Sequence, residues 1–223
     1  MTDEYHDLKI EDTLPVKAVG IECLKESNPE MMSPHRYLHK WFARRPTTAT
    51  RLAVLASVLP PSVTNDELLK LMKIVPTNIE HLDTNIEDYV VEKQATKDER
   101  DGSLEEHFGY PTPHSRLPSA EELGDFHEKL KSTWEGDLPT VIDPTAGGGT
   151  IPMESLRYGL PTISNELNPV AWLINKVILD YAPSIGSVEN EVRKWSEKID
   201  KHASRELEEY FPHEQGQTPN HYL

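Results

Sequence analysis

The sequence has little or nothing of several residue types and patterns, and each shortage excludes a class of protein. Cys23 is the single cysteine among 223 residues, which excludes an internal disulfide and a cysteine-based zinc site. No apolar run approaches the roughly 20 residues that a membrane-spanning helix requires. The acidic first segment lacks the basic and then apolar order of a secretory signal. These features together predict a cytoplasmic protein.

Basic residues are also scarce. The chain carries 23 Lys and Arg against 38 Asp and Glu, a formal net charge of −15. Nucleic acids attract basic surfaces, so this balance is unusual for a protein that acts on them. We favour adaptation to high salt, as in haloarchaeal proteins, where an acidic surface maintains solubility. The alternative is that the basic surface is local, or belongs to another segment or partner.

The pattern of charge and periodicity predicts four segments in a chain whose length fits one domain with a decorated edge. Residues 1–62 form a polar N-terminal segment, and residues 63–118 form an acidic, irregular insertion on the surface. Residues 119–183 form an α/β core, and residues 184–223 form an amphipathic helix with a polar tail. Apolar spacing predicts a buried helix that is entered at Thr47 or Thr48, and Ser119 and Glu122 match a capping box.

The region 139–182 reads as alternating strands and helices. A short apolar strand ends at Asp143, glycines 147–149 form a turn, and a helix starts at Thr150. The first strand is expected to be buried, and a second short strand and a helix that begins at Pro169 follow. This order is the start of a doubly wound α/β sheet.

The glycine turn has the features of a ligand site. Missing side chains at 147–149 let a ligand approach the backbone, and the helix after the turn presents free N–H groups. Glu166 follows about 20 residues later at the tip of the second strand, where an acidic residue grips ribose hydroxyls. The pattern therefore predicts an adenosine-containing cofactor, although a glycine cluster after a strand is often only a tight turn.

The string DPTAGGGT resembles motif I of class I methyltransferases, in the form found in amino-methyltransferases that act on nucleic acids. Thr145 stands where that motif usually has Phe. The resemblance implies a Rossmann-like, three-layer α/β/α methyltransferase fold, here incomplete and with N-terminal helical decoration. It also implies S-adenosylmethionine as the cofactor, bound by Asp143, Pro144, Thr145, Ala146, Gly147, Gly148, Gly149, Thr150, Glu166 and Asn168.

The block SPHRYLHKWFARRP at 33–46 combines arginines with aromatic residues, a mixture suited to phosphates and stacked bases. Taken alone, it is better explained as a solvated helix with its aromatic residues packed inward. In order with DPTAGGGTIPMESLRYG and NELNPVAWLINK, it resembles the DUF1156 family, described as adenine-specific DNA methylases that contain a zinc ribbon. The resemblance implies that the following residues cover the cofactor or contact nucleic acid: His39, Trp41, Arg44, Arg45 and Pro46.

The D/N-P-P-Y/F motif of amino-methyltransferases, which holds and stacks the flipped base, does not occur in these 223 residues. We therefore predict no catalytic residue here. The resemblance implies the cofactor-binding part of a DNA adenine-N6 methyltransferase whose catalytic half is missing or lies on a second chain. Residues 184–223 would lead towards that half. His35 and His39 lack a third ligand, so no metal site is predicted.

Two other functions remain open on the sequence alone. The first is a fragment of an RNA guanine methyltransferase, because those enzymes carry similar glycine strings. The second is a non-catalytic subunit that binds S-adenosylmethionine or serves as a scaffold in a phage-defence system. Among single residues, Trp172 and Trp195 are expected in the core, and Asn175 faces either the cofactor side of the sheet or solvent.

Overall fold

The computed structural model describes residues 7–27, 32–34, 45–74 and 112–207. It separates into two compact units, Met1–Asp180 and Tyr181–Leu223, and each is described by itself. Most of the basic and aromatic block at 33–46 and the centre of the segment 63–118 lie outside the described residues.

The described N-terminal part of the first unit contains α1 (Val16–Ser27), α2 (Thr47–Ala56) and α3 (Asn65–Leu71). The helix predicted from Thr47 is confirmed as α2. Glu26, near the end of α1, caps the start of α2. Its buried carboxylate accepts the N–H groups of Thr47 and Thr48 at 2.8 and 2.9 Å. A negative charge is favourable there, since the N-terminus of a helix carries partial positive charge.

The two ends of the segment 63–118 differ from the expected surface insertion. Residues 63–74 contain α3, whose Leu68 and Leu69 are fully buried, and a 3₁₀ turn, Pro113–Ser115, carries the buried His114. Both ends pack because they bring apolar and hydrogen-bonded groups to α2. The prediction of an irregular segment stays a prediction for residues 75–111, which lie outside the described residues.

The next helix, α4 (Ala120–Thr133), starts with the predicted capping box. The Ser119 hydroxyl accepts the Glu122 N–H at 3.2 Å, and the Glu122 carboxylate accepts the Ser119 N–H at 2.7 Å. Phe126 and Leu130 face the core of the first unit. The buried residues of that core lie in α1 to α4, in the loops after α2 and α3, and just after the next helix: Ala18, Val19, Leu52, Val54, Leu55, Val58, Leu59, Val63, Leu68, Leu69, Met72, Ile74, Phe126, Leu130, Tyr158 and Leu160.

A βαβ unit follows, as the sequence predicts. Strands β1 (Val141–Asp143) and β2 (Thr162–Ser164) pair in parallel, and the helix α5 (Thr150–Arg157) connects them. The expectation that the first strand is buried is wrong on one face. Ile142 and Ile163 pair in register and are 62% and 54% exposed, because the sheet in the described residues has only these two strands. The described part is thus mostly helical with a small parallel sheet, which is compatible with an α/β class.

Helix α6 (Pro169–Lys176) begins at Pro169 as predicted and runs into a π-helical stretch, Val177–Tyr181. Its buried side carries Ala171 and Asn175. The prediction that Trp172 lies in the core is wrong, since the side chain is 52% exposed. Each residue of a helix is turned by about 100° from the one before, so the residue after Ala171 points away from the buried side.

The second unit contains a short helix α7 (Ala182–Ile185) and α8 (Glu189–Leu207) in its described residues. Val192, Trp195 and Ile199 form the predicted apolar stripe of α8, and all three are exposed. The prediction that Trp195 lies in a core is therefore wrong, and its ring instead lies 4.5 Å from the Lys198 ammonium. No helix among the described residues is long and apolar enough to span a membrane.

Candidate functional site

The glycine turn lies at the carboxyl end of β1 and begins at Asp143, whose carboxylate bonds to the backbone of the turn. Asp143 is buried, and its Oδ1 accepts the N–H of Thr145 at 3.1 Å. The N–H of Ala146 donates to the carbonyl of Asn165 at 3.0 Å, which ties the turn to the end of β2. The side-chain amide of Asn165 also donates to the carbonyl of Pro144 at 2.9 Å. Asp143 therefore shapes this turn, and its contact with a cofactor stays a prediction.

Glycine is required at two positions of the turn. Gly147 and Gly149 have φ values of 53° and 75°, in the left-handed region that other residues rarely adopt. Gly149 is the residue before α5, and a Cβ atom there would lie 2.5 Å from Oδ1 of Asn175. The turn also places Gly148 and Thr150 in buried positions at the start of α5. The first N–H groups of α5 have no acceptor within the helix, so the turn can bind an acceptor atom of a ligand.

Glu166 lies beside the turn, as the sequence predicts. Its Oε2 accepts the N–H of Gly147 at 2.6 Å, and its Oε1 accepts the N–H of Asn168 at 3.0 Å. These backbone N–H groups, Asn168 first, hold the pKa of the carboxyl below its usual value. The side chain is thus a fixed anion with lone pairs left on both oxygens. It can accept further hydrogen bonds from hydroxyl groups without giving up its place on the turn.

Asn168, predicted in the cofactor site, caps α6. Its Oδ1 accepts the N–H of Val170 at 2.9 Å, which satisfies one of the free donors at the start of the helix. The same residue orients Glu166 through its own N–H. Asn168 is thereby placed next to the turn, and direct contact with a ligand stays a prediction.

Asn175 is a residue of the site whose role the sequence left open, and a solvent-facing position is excluded because the residue is 5% exposed. Its Nδ2 donates to the carbonyls of Gly147 and Ala171, each at 2.8 Å, and its Oδ1 accepts the hydroxyl of Ser164 at 3.2 Å. Asn175 therefore anchors the glycine turn to α6. The sequence signal was its spacing of four from Ala171, which puts an amide on the buried side of α6.

A cleft of about 150 Å³ opens beside Glu166. Ser164, Trp172 and Lys176 contribute to its lining. It combines an exposed aromatic face with a fixed carboxylate, which suits a ligand that has both a ring and hydroxyl groups. The described residues contain no group of three His, Cys, Asp or Glu side chains that could hold a metal ion.

The basic and aromatic block can be located only at its end. His39, Trp41 and Arg44 lie outside the described residues, whereas Arg45 is exposed and Pro46 is half-buried at the start of α2. The Pro46 carbonyl accepts the N–H and the hydroxyl of Thr50 at 3.1 and 3.0 Å, so this end of the block is fixed to α2. The predicted contact of these five residues with nucleic acid or cofactor stays a prediction.

A parallel βαβ unit with a glycine turn after its first strand and a carboxylate after its second is an arrangement that suits nucleotide-like ligands. Residues 13–101 match the model of the family DUF1156, described as a protein of unknown function. The family resemblance is confirmed for this segment, which includes α1 to α3 and ends before β1. The chain matches no curated protein and no solved structure.

Proposed function

We propose that this chain is the S-adenosylmethionine-binding part of a DNA adenine-N6 methyltransferase and that it acts with a catalytic half carrying D/N-P-P-Y/F. The observation that carries the proposal is the contact of the Glu166 carboxylate with the N–H of Gly147. It joins the two predicted halves of a nucleoside site, the glycine turn and the acidic strand end, at hydrogen-bond distance.

The residues of the turn fit such a cofactor. A side chain at Gly149 would collide with Asn175, so the turn keeps this conformation only with glycine there. Glycines 147–149 would admit the cofactor, Glu166 would hold its ribose, and Asp143 would shape the turn near the methionine amino group. S-adenosylmethionine supplies an electrophilic methyl group on a sulfonium ion. The task of this chain is to bind and orient that group.

DNA needs positive charge that this chain has little of, since its formal net charge is −15. Arg44, Arg45 and Trp41 are the local candidates for phosphate and base contacts. The base-holding motif is not in the 223 residues, so we assign the flipped adenine to the catalytic half. Methyl transfer then depends on both halves.

A methyl-transfer assay with labelled S-adenosylmethionine and duplex DNA tests this division. The chain alone should transfer no label, whereas the chain with a neighbouring reading frame that carries D/N-P-P-Y/F should label adenine. Glu166→Gln should weaken this activity, and Glu197→Gln on the exposed side of α8 should not. Robust turnover by the chain alone would contradict the division of labour, and transfer to RNA but not DNA would favour the guanine methyltransferase.

A further inference from the structure

A fully buried ion pair joins the N-terminal helices to the helix that carries the glycine turn. Arg51 of α2 donates through Nε to Oε2 of Glu154 on α5 at 2.7 Å, and both side chains are 0% exposed. Nη1 of Arg51 also donates to the carbonyls of Met72 and Pro113, at 3.0 and 2.9 Å. One guanidinium therefore contacts three other parts of the chain, and the farthest of them is 103 residues away in sequence.

Glu154 is held on its other side as well. Nη1 of Arg157 donates to Oε1 of Glu154 at 2.7 Å, so both carboxylate oxygens are bonded. Tyr158, directly after α5, donates its hydroxyl to the carbonyl of Leu71 at 2.9 Å, and its ring lies 5.5 Å from Cζ of Arg51. The carboxyl-terminal half of α5 is thus fixed by charged and polar contacts of defined direction.

Stability alone is a weak reason for such a pair. Burying two charges costs much of what their attraction returns, and apolar residues of similar volume often stabilise a fold equally well or better. The planar guanidinium instead imposes direction, because its N–H groups are fixed in a fork. An apolar contact between α2 and α5 would permit small shifts that the ion pair prevents.

The position of Glu154 connects the orientation that the ion pair imposes on α5 to the glycine turn. It lies five residues after Gly149 on an eight-residue helix, so a displacement of this helix at Glu154 would also move the glycine turn. The turn is also held by Glu166 and Asn175, which bond to the N–H and the carbonyl of Gly147. Arg51 in turn lies five residues after Pro46, on the helix that starts where the basic and aromatic block ends.

We propose that Arg51 and Glu154 are positioning residues for the cofactor site. They hold the glycine turn at the position where it meets Glu166 and Asn175, and they fix its distance from Pro46. This inference rests on the proposed function for its ligand. The alignment of the turn itself can be measured without any ligand.

The test replaces the pair by methionines. Arg51→Met alone leaves the buried Glu154 carboxylate with only Arg157 as its ionic partner and should destabilise the fold strongly. Arg51→Met/Glu154→Met should recover only part of the stability, because the carbonyls of Met72 and Pro113 still lose their donor. The double variant should still bind S-adenosylmethionine about tenfold or more weakly, since a small displacement of a binding group has effects of this size. Amide hydrogen exchange at residues 147–153 without ligand should also become about tenfold or more faster.

A second buried pair provides the matched control. Lys25 and Glu22 of α1 are 2% and 1% exposed, 3.0 Å apart, and do not belong to α5. Lys25→Met/Glu22→Met should leave cofactor affinity and exchange at 147–153 within about twofold of the original chain. A loss of affinity in this control equal to that in the Arg51 and Glu154 double variant would show a general effect of destabilisation and overturn the proposal.

The outcomes separate this inference from the proposed function. Unchanged affinity and exchange in a folded Arg51→Met/Glu154→Met chain would show that the pair is only structural. If the original chain binds no S-adenosylmethionine, the proposed function fails, while the exchange measurement still decides on positioning. If the double variant does not fold, Arg51→Lys keeps the charge without the fork, and unchanged exchange at 147–153 in that variant would overturn the proposal.

Discussion

Replacement of Gly149 by alanine tests the geometry of the glycine turn. At φ 75° an L-residue is strained by about 1–2 kcal/mol. The new methyl group would also lie 2.5 Å from Oδ1 of Asn175, which must move and weaken its buried hydrogen bonds, each worth about 1 kcal/mol. Together these effects predict a loss of about 2–4 kcal/mol in the free energy of unfolding.

Urea unfolding of Gly149→Ala measures this loss, and Gly136→Ala is the matched control. Gly136 also has a positive φ, 100°, but an added Cβ there meets no atom within 4 Å. The control should therefore show only backbone strain, about 1–2 kcal/mol. The additional loss of unfolding free energy in Gly149→Ala, relative to Gly136→Ala, measures the collision with Asn175. If the two variants lose the same free energy, the account of a turn packed against Asn175 is wrong.

Three further predictions concern groups in or near the first unit. Asn175→Leu leaves a buried loop carbonyl without its donor and should lower the free energy of unfolding by about 1–3 kcal/mol in urea titrations; no loss would contradict the support that Asn175 gives the turn. Burial lowers the pKa of His114, so the unfolded chain takes up the proton first and stability should fall as the pH drops below about 6.5. His114→Gln should flatten that part of the pH profile, and an unchanged profile would refute this assignment. The hydrogen bond from Lys73 lowers the pKa of Glu122 to about 2, so its stabilisation is complete above about pH 4.5 and is lost as the pH falls towards 2. At pH 7 Glu122→Gln should destabilise by up to about 1 kcal/mol and the exposed neighbour Glu121→Gln should not; equal effects would exclude the Lys73 contact as the cause.

Local signals in the sequence predicted the elements that depend on neighbouring residues. Ser119 and Pro169 mark helix starts because capping and the fixed φ of proline act within one turn. The glycine turn and Glu166 followed from the spacing of a βαβ unit, in which parallel strands bring their carboxyl ends together. These features needed no knowledge of distant contacts.

The remaining features depend on partners far away in the chain. Nothing near Arg51 indicates that its partner is Glu154, because that pairing exists only once α2 packs on α5. The exposure of Ile142 and Ile163 likewise depends on how many strands the sheet has, whereas an apolar run predicts only that the residues can be buried. The prediction that Trp172 is buried failed for a related reason. The residues of α6 that pack inward are the small Ala171 and Asn175, whose amide bonds to the glycine turn.

The most direct measurement for the central claim is a calorimetric titration of the full chain with S-adenosylmethionine. The account predicts saturable binding at one site, which weakens in Glu166→Gln and is unchanged in Glu197→Gln. Absence of binding to a chain that still unfolds cooperatively in urea would contradict the claim that the glycine turn and Glu166 form a cofactor site.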